Sequence, residues 1–261
     1  MLKALGSERT ATGVQTAVLV LAFWWLATGL LLGLPRDPEG RQAAAVVASL
    51  VGGSGLALAI LLRRDDSPRA AWLGFLAGGT LWAWVQAALY GGWLVGPRAA
   101  QAPVVTGARL ADAVSGLRAT SWNEVASLGV LLLTAALAIG ARNRMPFWTV
   151  LLLWGAHQVA RLNVFLGVAN LDASLLPSHL AFLEPFFGPP SNSLLLPVSV
   201  AGFLLLTVLL YRSAHRAGDG FRHRGGVALA VLAGLATLEH LVLGVPRHLP
   251  LWGLFLPGHG G

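Results

Sequence analysis

Long apolar runs alternate with short polar breaks along almost the whole chain. A helix needs about 20 apolar residues to cross the hydrocarbon core of a bilayer, and seven runs meet that length, at roughly 12–34, 43–62, 70–94, 121–139, 145–168, 193–211 and 225–245. Pro35, Pro97, Pro146, Pro189 and Pro246 fall at or near the ends of these runs, where a missing backbone N–H costs little. Trp72, Trp93, Trp122, Trp148 and Trp252 also fall near ends, where amphipathic rings anchor helices at the headgroups.

Two connections are more than turns. Residues 96–120 form the longest, with a short helix predicted over Gly107–Leu117. Residues 172–192 carry DASLLPSHLAFLEPFFGPP, in which Leu175, Leu176, Leu180, Leu183, Phe186 and Phe187 recur at helical spacing. That spacing predicts a helix lying in the membrane interface. The fold class expected is all-α: a polytopic membrane helix bundle with about seven transmembrane helices plus a periplasmic interfacial helix, forming one integral-membrane domain over residues 1–261. There is no internal repeat, and no matching pair of broken helices of the kind many transporters use. The N-terminal segment MLKALGSERTATG lacks a cleavable signal pattern, so the first apolar run is expected to stay in the membrane.

Composition supports this pattern. Of 261 residues, 56% are hydrophobic and 11% charged, with a mean hydropathy of +0.69. A soluble domain carries about 25% charged residues, so this chain cannot cover a water-facing surface and has lipid as its natural solvent. The net charge of +7 comes from arginines scattered through short loops, without the dense stripe that nucleic acid favours. No nucleic-acid partner is expected; membrane lipid is. Cysteine is absent, which excludes disulfides and thiolate chemistry.

The basic residues set an orientation. Lys3, Arg9, the arginines at 63, 64 and 69, those at 142 and 144, and those at 212, 216, 222 and 224 share one side. That side holds eleven against six on the other, with Arg161 inside a span. Because cytoplasmic loops carry the Lys and Arg excess, the N-terminus is expected in the cytoplasm and the C-terminus in the periplasm of a bacterial inner membrane.

Ionisable residues inside spans are costly and face partners or cavities. With a rise of about 1.5 Å per residue, Arg161 lies about 10 Å from the periplasmic end of its span, Glu239 about 9 Å, Glu124 about 5 Å and Gln86 about 12 Å. The common depth predicts a polar layer in which Arg161 pairs with Glu124 or Glu239, Glu239 being slightly favoured. Gln86, Asn163 and His240 complete the candidate layer, which either fixes helix packing or forms a ligand site. Trp154, Gln158, Arg161 and Phe165 share one helix face, with His157 beside them. A neutral histidine in an apolar helix can ligate the magnesium of a bacteriochlorophyll, which makes His157 and His240 candidate pigment ligands and packed histidines alike. No HExxH, GxSxG, Walker A or GxGxxG pattern occurs, so no catalytic residue and no metal site is assigned.

The segment ARLNVFLGVANLDASLLPSHLAFLEPFF, residues 160–187, is similar to a specific family. With LWAWVQ at Leu81–Gln86, GPR at Gly96–Arg98, LLPVSV at Leu195–Val200, LEH at Leu238–His240 and FWWLATGL at Phe23–Leu30, the chain resembles the photosynthetic complex assembly protein 2 family, PuhE, over nearly its full length. Members are encoded beside the reaction-centre H subunit in phototrophic bacteria. Two places depart from the family pattern: Ala87, where an acid is common, and Asn123, where a histidine is common. Glu124, Arg161, Asn163, Asn170, Pro177, His179, Glu239 and His240 fall on retained motif positions. The resemblance implies a non-catalytic factor that assists assembly of the reaction centre and core antenna, with those membrane subunits as partners. A carrier or enzyme for bacteriochlorophyll, carotenoid or quinone is the competing class. Glycines at 52, 53 and 55 and at 74, 78 and 79 would let helices approach closely.

Overall fold

The computed structural model describes residues 2–35, 37–97, 106–107, 109–171, 176–218 and 220–245, with side chains from residue 11 onward. Among these there are eight α-helices and no strand: α1 (Leu2–Leu32), α2 (Pro38–Leu61), α3 (Pro68–Tyr90), α4 (Arg109–Ala119), α5 (Ser121–Ala138), α6 (Met145–Leu166), α7 (Leu195–Arg216) and α8 (Gly220–Gly244). The all-α expectation therefore holds, and α4 occupies the site predicted for a short helix. Pro246, Arg247 and Trp252 lie outside the described residues, as do Arg98 and Leu175.

Local chemistry fixes the helix starts. Asp37 caps α2 by accepting a bond from the Gly40 N–H at 2.7 Å, with Pro38 in the first turn. Ser67 caps α3 by accepting from the Ala70 N–H at 3.2 Å, with Pro68 following. A side-chain acceptor before a helix-ready proline satisfies donors the helix itself leaves open. At the opposite end, Arg63 donates from Nε to the Leu137 carbonyl at 2.9 Å and from Nη2 to Ile139 at 3.0 Å. Its own carbonyl accepts from the Arg142 N–H at 2.8 Å. One loop arginine thus closes the C-terminus of α5 and ties the α2–α3 loop to the α5–α6 turn.

Helix α3 is the centre of the bundle, in contact with α1, α2, α5, α6 and α8. Small residues permit this. A Cβ on Gly78 would lie 2.6 Å from the Pro146 carbonyl oxygen of α6, and one on Gly55 would lie 2.2 Å from Thr80 Oγ1 across the α2–α3 contact. Gly53, grouped with these by sequence, instead meets nothing within 4 Å. Phe75 and Val85 are fully buried on α3, in two clusters: one shared with α1, α6 and α8, the other with α5 and α6.

Among the described residues, five helices are long and apolar enough to cross a membrane by length and composition: α1 from Ala11, α2, α5, α7 and α8. The expected count of seven also required α3 and α6, which have 23 and 22 residues but are interrupted by Gly, Gln, His, Asn and Arg. The predicted interfacial helix needs a correction. Ser178–Phe186 is a 3-10 helix, and it buries Leu180, Leu183 and Phe186 against Leu89 of α3, Ala113 of α4 and Phe165 of α6. Flanked by Pro177 and interrupted by Pro185, the segment cannot continue an α-helical bond pattern, and it packs as part of the core.

Candidate functional site

The site grows from one face of α6. Gln158 and Arg161, three residues apart, both reach Glu124 on α5. Gln158 Nε2 donates to Glu124 Oε2 at 2.6 Å, and Arg161 pairs with Glu124 Oε1. The second guanidinium nitrogen donates to the Thr120 hydroxyl, and Phe165 lies under the guanidinium with its ring centroid 5.8 Å from Cζ. Both charged side chains are largely withdrawn, at 13% exposure for Arg161 and 24% for Glu124. A guanidinium that keeps its charge is thus matched by a carboxylate whose two oxygens are both occupied.

The remaining polar residues form separate groups. Gln86 on α3 bonds to His157 Nδ1 at 3.1 Å, and the His157 ring meets Trp82 edge-on at 5.5 Å. Asn163, fully buried, donates to the Ser199 hydroxyl of α7 at 2.9 Å and to the Val159 carbonyl. Glu239 does not pair with Arg161. It accepts the Trp24 indole N–H of α1 at 2.7 Å on the outer surface of α8. The expectation that slightly favoured Glu239 is corrected here: equal depth fixes the level of a side chain but not the direction it takes around its helix.

The motif residues of the 167–192 region close helix ends. Asn170 donates from Nδ2 to the Val242 carbonyl at 2.9 Å and from its backbone to Leu243 at 3.0 Å. Asn192 adds the Gly244 carbonyl at 2.9 Å. Together they cover carbonyls that α8 cannot satisfy internally. His179 donates from Nε2 to the Leu89 carbonyl of α3 at 3.3 Å, and the Pro177 carbonyl accepts the first bond of the 3-10 helix, from the Leu180 N–H, at 2.8 Å. Sequence reasoning missed Thr120, Asn192 and the role of Asn123. Asn123 is buried and donates to the Val85 carbonyl at 3.0 Å. A polar residue directly before Glu124 in an apolar run was the available signal.

Of the candidate pigment ligands, His240 has the better tautomer. Its Nδ1 lies 2.7 Å from the Ala236 carbonyl, which only accepts, so the proton sits on Nδ1 and Nε2 keeps a lone pair with no partner. Yet the ring has no exposed surface, and the Phe203 ring of α7 covers it at 4.9 Å. A macrocycle could reach this nitrogen only if α7 moved.

A family model described as "Protein of unknown function (DUF3623)" matches residues 11–259. A Rhodobacter capsulatus protein, "Uncharacterized 30.4 kDa protein in puhA 5'region", is 33% identical over 251 residues, covering 92% of this chain and 90% of its own. No solved structure matches. With the family pattern running from α1 to beyond α8, the chain belongs to the DUF3623 family.

Proposed function

We propose that the protein is a non-catalytic membrane factor or subunit that assists assembly of the bacterial photosynthetic reaction centre and core light-harvesting complex through helix–helix contacts. The observation that carries this reading is the match, over nine-tenths of both chains, to a relative encoded in the puhA 5' region. That gene position agrees with the neighbourhood implied by the PuhE resemblance. The outer helices support a docking role: the most apolar 18 residues of Leu195–Arg216 have a mean hydropathy of 1.9, and only 11% of them are buried within the protein. In this reading α3 and α6 also cross the inner membrane, giving seven spans with a cytoplasmic N-terminus and a periplasmic C-terminus.

Deletion of the gene in a tractable phototroph tests the function. Assembled reaction centre and core antenna should fall further than their transcripts. Unchanged complexes under every growth condition would sink the proposal. The second reading, a carrier of bacteriochlorophyll, carotenoid or quinone, has the bare His240 Nε2 in its favour. Purification in mild detergent separates the two: partner polypeptides without stoichiometric pigment support the factor, and stoichiometric pigment without partners supports the carrier. A C-terminal reporter fusion should be active in the periplasm if the topology is right.

A further inference from the structure

At the end of the bundle that carries the α1–α2 connection, a small open cleft, with a cavity volume of about 30 Å³, lies between α1, α2, α3 and the 3-10 helix. Its polar lining is Arg41, Tyr90, Ser178 and His179. Arg41 makes no ion pair with a described carboxylate, and its Nε is sealed from solvent without a partner. It also stands in the first turns of α2, four residues beyond the Asp37 cap, where the helix dipole disfavours a cation. An always-charged, part-buried group in that position favours an anion beside it.

The lining is built to supply donors. The Tyr90 and Ser178 hydroxyls can donate, and among the described residues no carboxylate lines the cleft. The His179 ring is held against the α3 exit by its bond to Leu89 and by Gly92, whose φ of +78° and missing Cβ let the turn approach the ring. A Cβ there would lie 3.1 Å from His179 Cδ2. The apolar side of the cleft includes Leu31 and Leu34. From Leu34 a stripe of four-residue spacing runs down α1 through Leu30 and Leu26, which are 59% and 50% exposed on the outer surface of the bundle.

We propose that this cleft is a binding site for a phosphate-bearing anion, with a phospholipid headgroup against Arg41 and its acyl chains along the α1 stripe. A free phosphate shares the headgroup chemistry, and the test separates the two. The full chain, purified in detergent, is incubated with phosphatidylglycerol, with the phosphate-free diacylglycerol of the same chains, or with inorganic phosphate, and followed by native mass spectrometry and thermal melting. Phosphatidylglycerol should be retained and diacylglycerol lost. Arg41→Gln should weaken retention at least about tenfold, the scale of one lost charged hydrogen bond, while Arg212→Gln, distant on α7, changes nothing. Stabilisation by inorganic phosphate alone that vanishes in Arg41→Gln would keep the phosphate site and remove the lipid as its source. If Arg41→Gln does not fold, Arg41→Lys keeps the charge without the planar fork and should bind with intermediate strength. Equal retention of phosphatidylglycerol and diacylglycerol by the natural protein, with no response to phosphate, overturns the proposal.

Discussion

Helices α3 and α7 solve opposite problems. From Ala70 to Tyr90, α3 presents no exposed residue; α7 buries only Leu196, Ser199 and Ala214. Yet α7 is among the five helices apolar enough to qualify as spans, and α3 is not. In this pair the more apolar helix is the outer one, although α8, as apolar as α7, has half of its apolar stretch buried. An outer helix must be apolar because hydrocarbon is its solvent. An inner helix has protein for solvent and can carry Trp, Gln and Gly, provided each polar group finds a partner. Helix α6 follows the inner pattern, with Trp148 its only exposed residue.

Breaking the inner ion pair should have the largest effect. Arg161→Leu strands Glu124 beside Gln158 and should destabilise by about 3–5 kcal/mol. Adding Glu124→Leu should recover much of that loss. Detergent melting and membrane accumulation of the two single variants and the double are the measurements, and a silent Arg161→Leu would remove the pair from the inner core. A smaller contrast comes from glycines. Gly78→Leu drives a side chain into the α6 backbone and should cost roughly 1–3 kcal/mol. Gly53→Leu, on the open face of α2, should stay within about 0.5 kcal/mol. Equal melting of the two would deny the inner–outer distinction.

The smallest effect belongs to the loop that opens α3. The exposed Asp65 carboxylate accepts the Ser67 N–H at 2.8 Å, and that bond holds its carboxyl below its ordinary value. A lowered carboxyl contributes stability above its unfolded-state value and loses it as pH falls through the lowered one. Melting temperature should therefore decline slightly on the acid side, and Asp65→Asn should flatten that decline. An unchanged acid limb would show that this turn is energetically idle.

Much of this architecture was readable from one chain. The starts of α5 at Ser121 and α6 at Met145 coincide with the first residues of their apolar runs. The α6 face carrying Gln158, Arg161 and Phe165 follows from three- and four-residue spacing alone. What was not readable was azimuth between helices: spacing cannot tell whether Glu239 turns toward α6 or toward Trp24. The 3-10 segment departs from its predicted form for another reason. Leu180, Leu183 and Phe186 repeat every three residues, the period of a 3-10 helix, which over so short a run coincides with one face of an α-helix. Helix α1 begins at Leu2, well before the apolar run, because a polar sequence without proline can continue a helix beyond the lipid.

The double role of Arg63 has a consequence for how the protein is made. Its partners lie at Leu137, Ile139 and Arg142, so the α2–α3 loop cannot be fastened until about 80 more residues have left the ribosome, which at 5–20 residues per second is roughly 4–16 s. During that interval the α2–α3 hairpin stands without its lock, open to whatever insertase or chaperone first meets it.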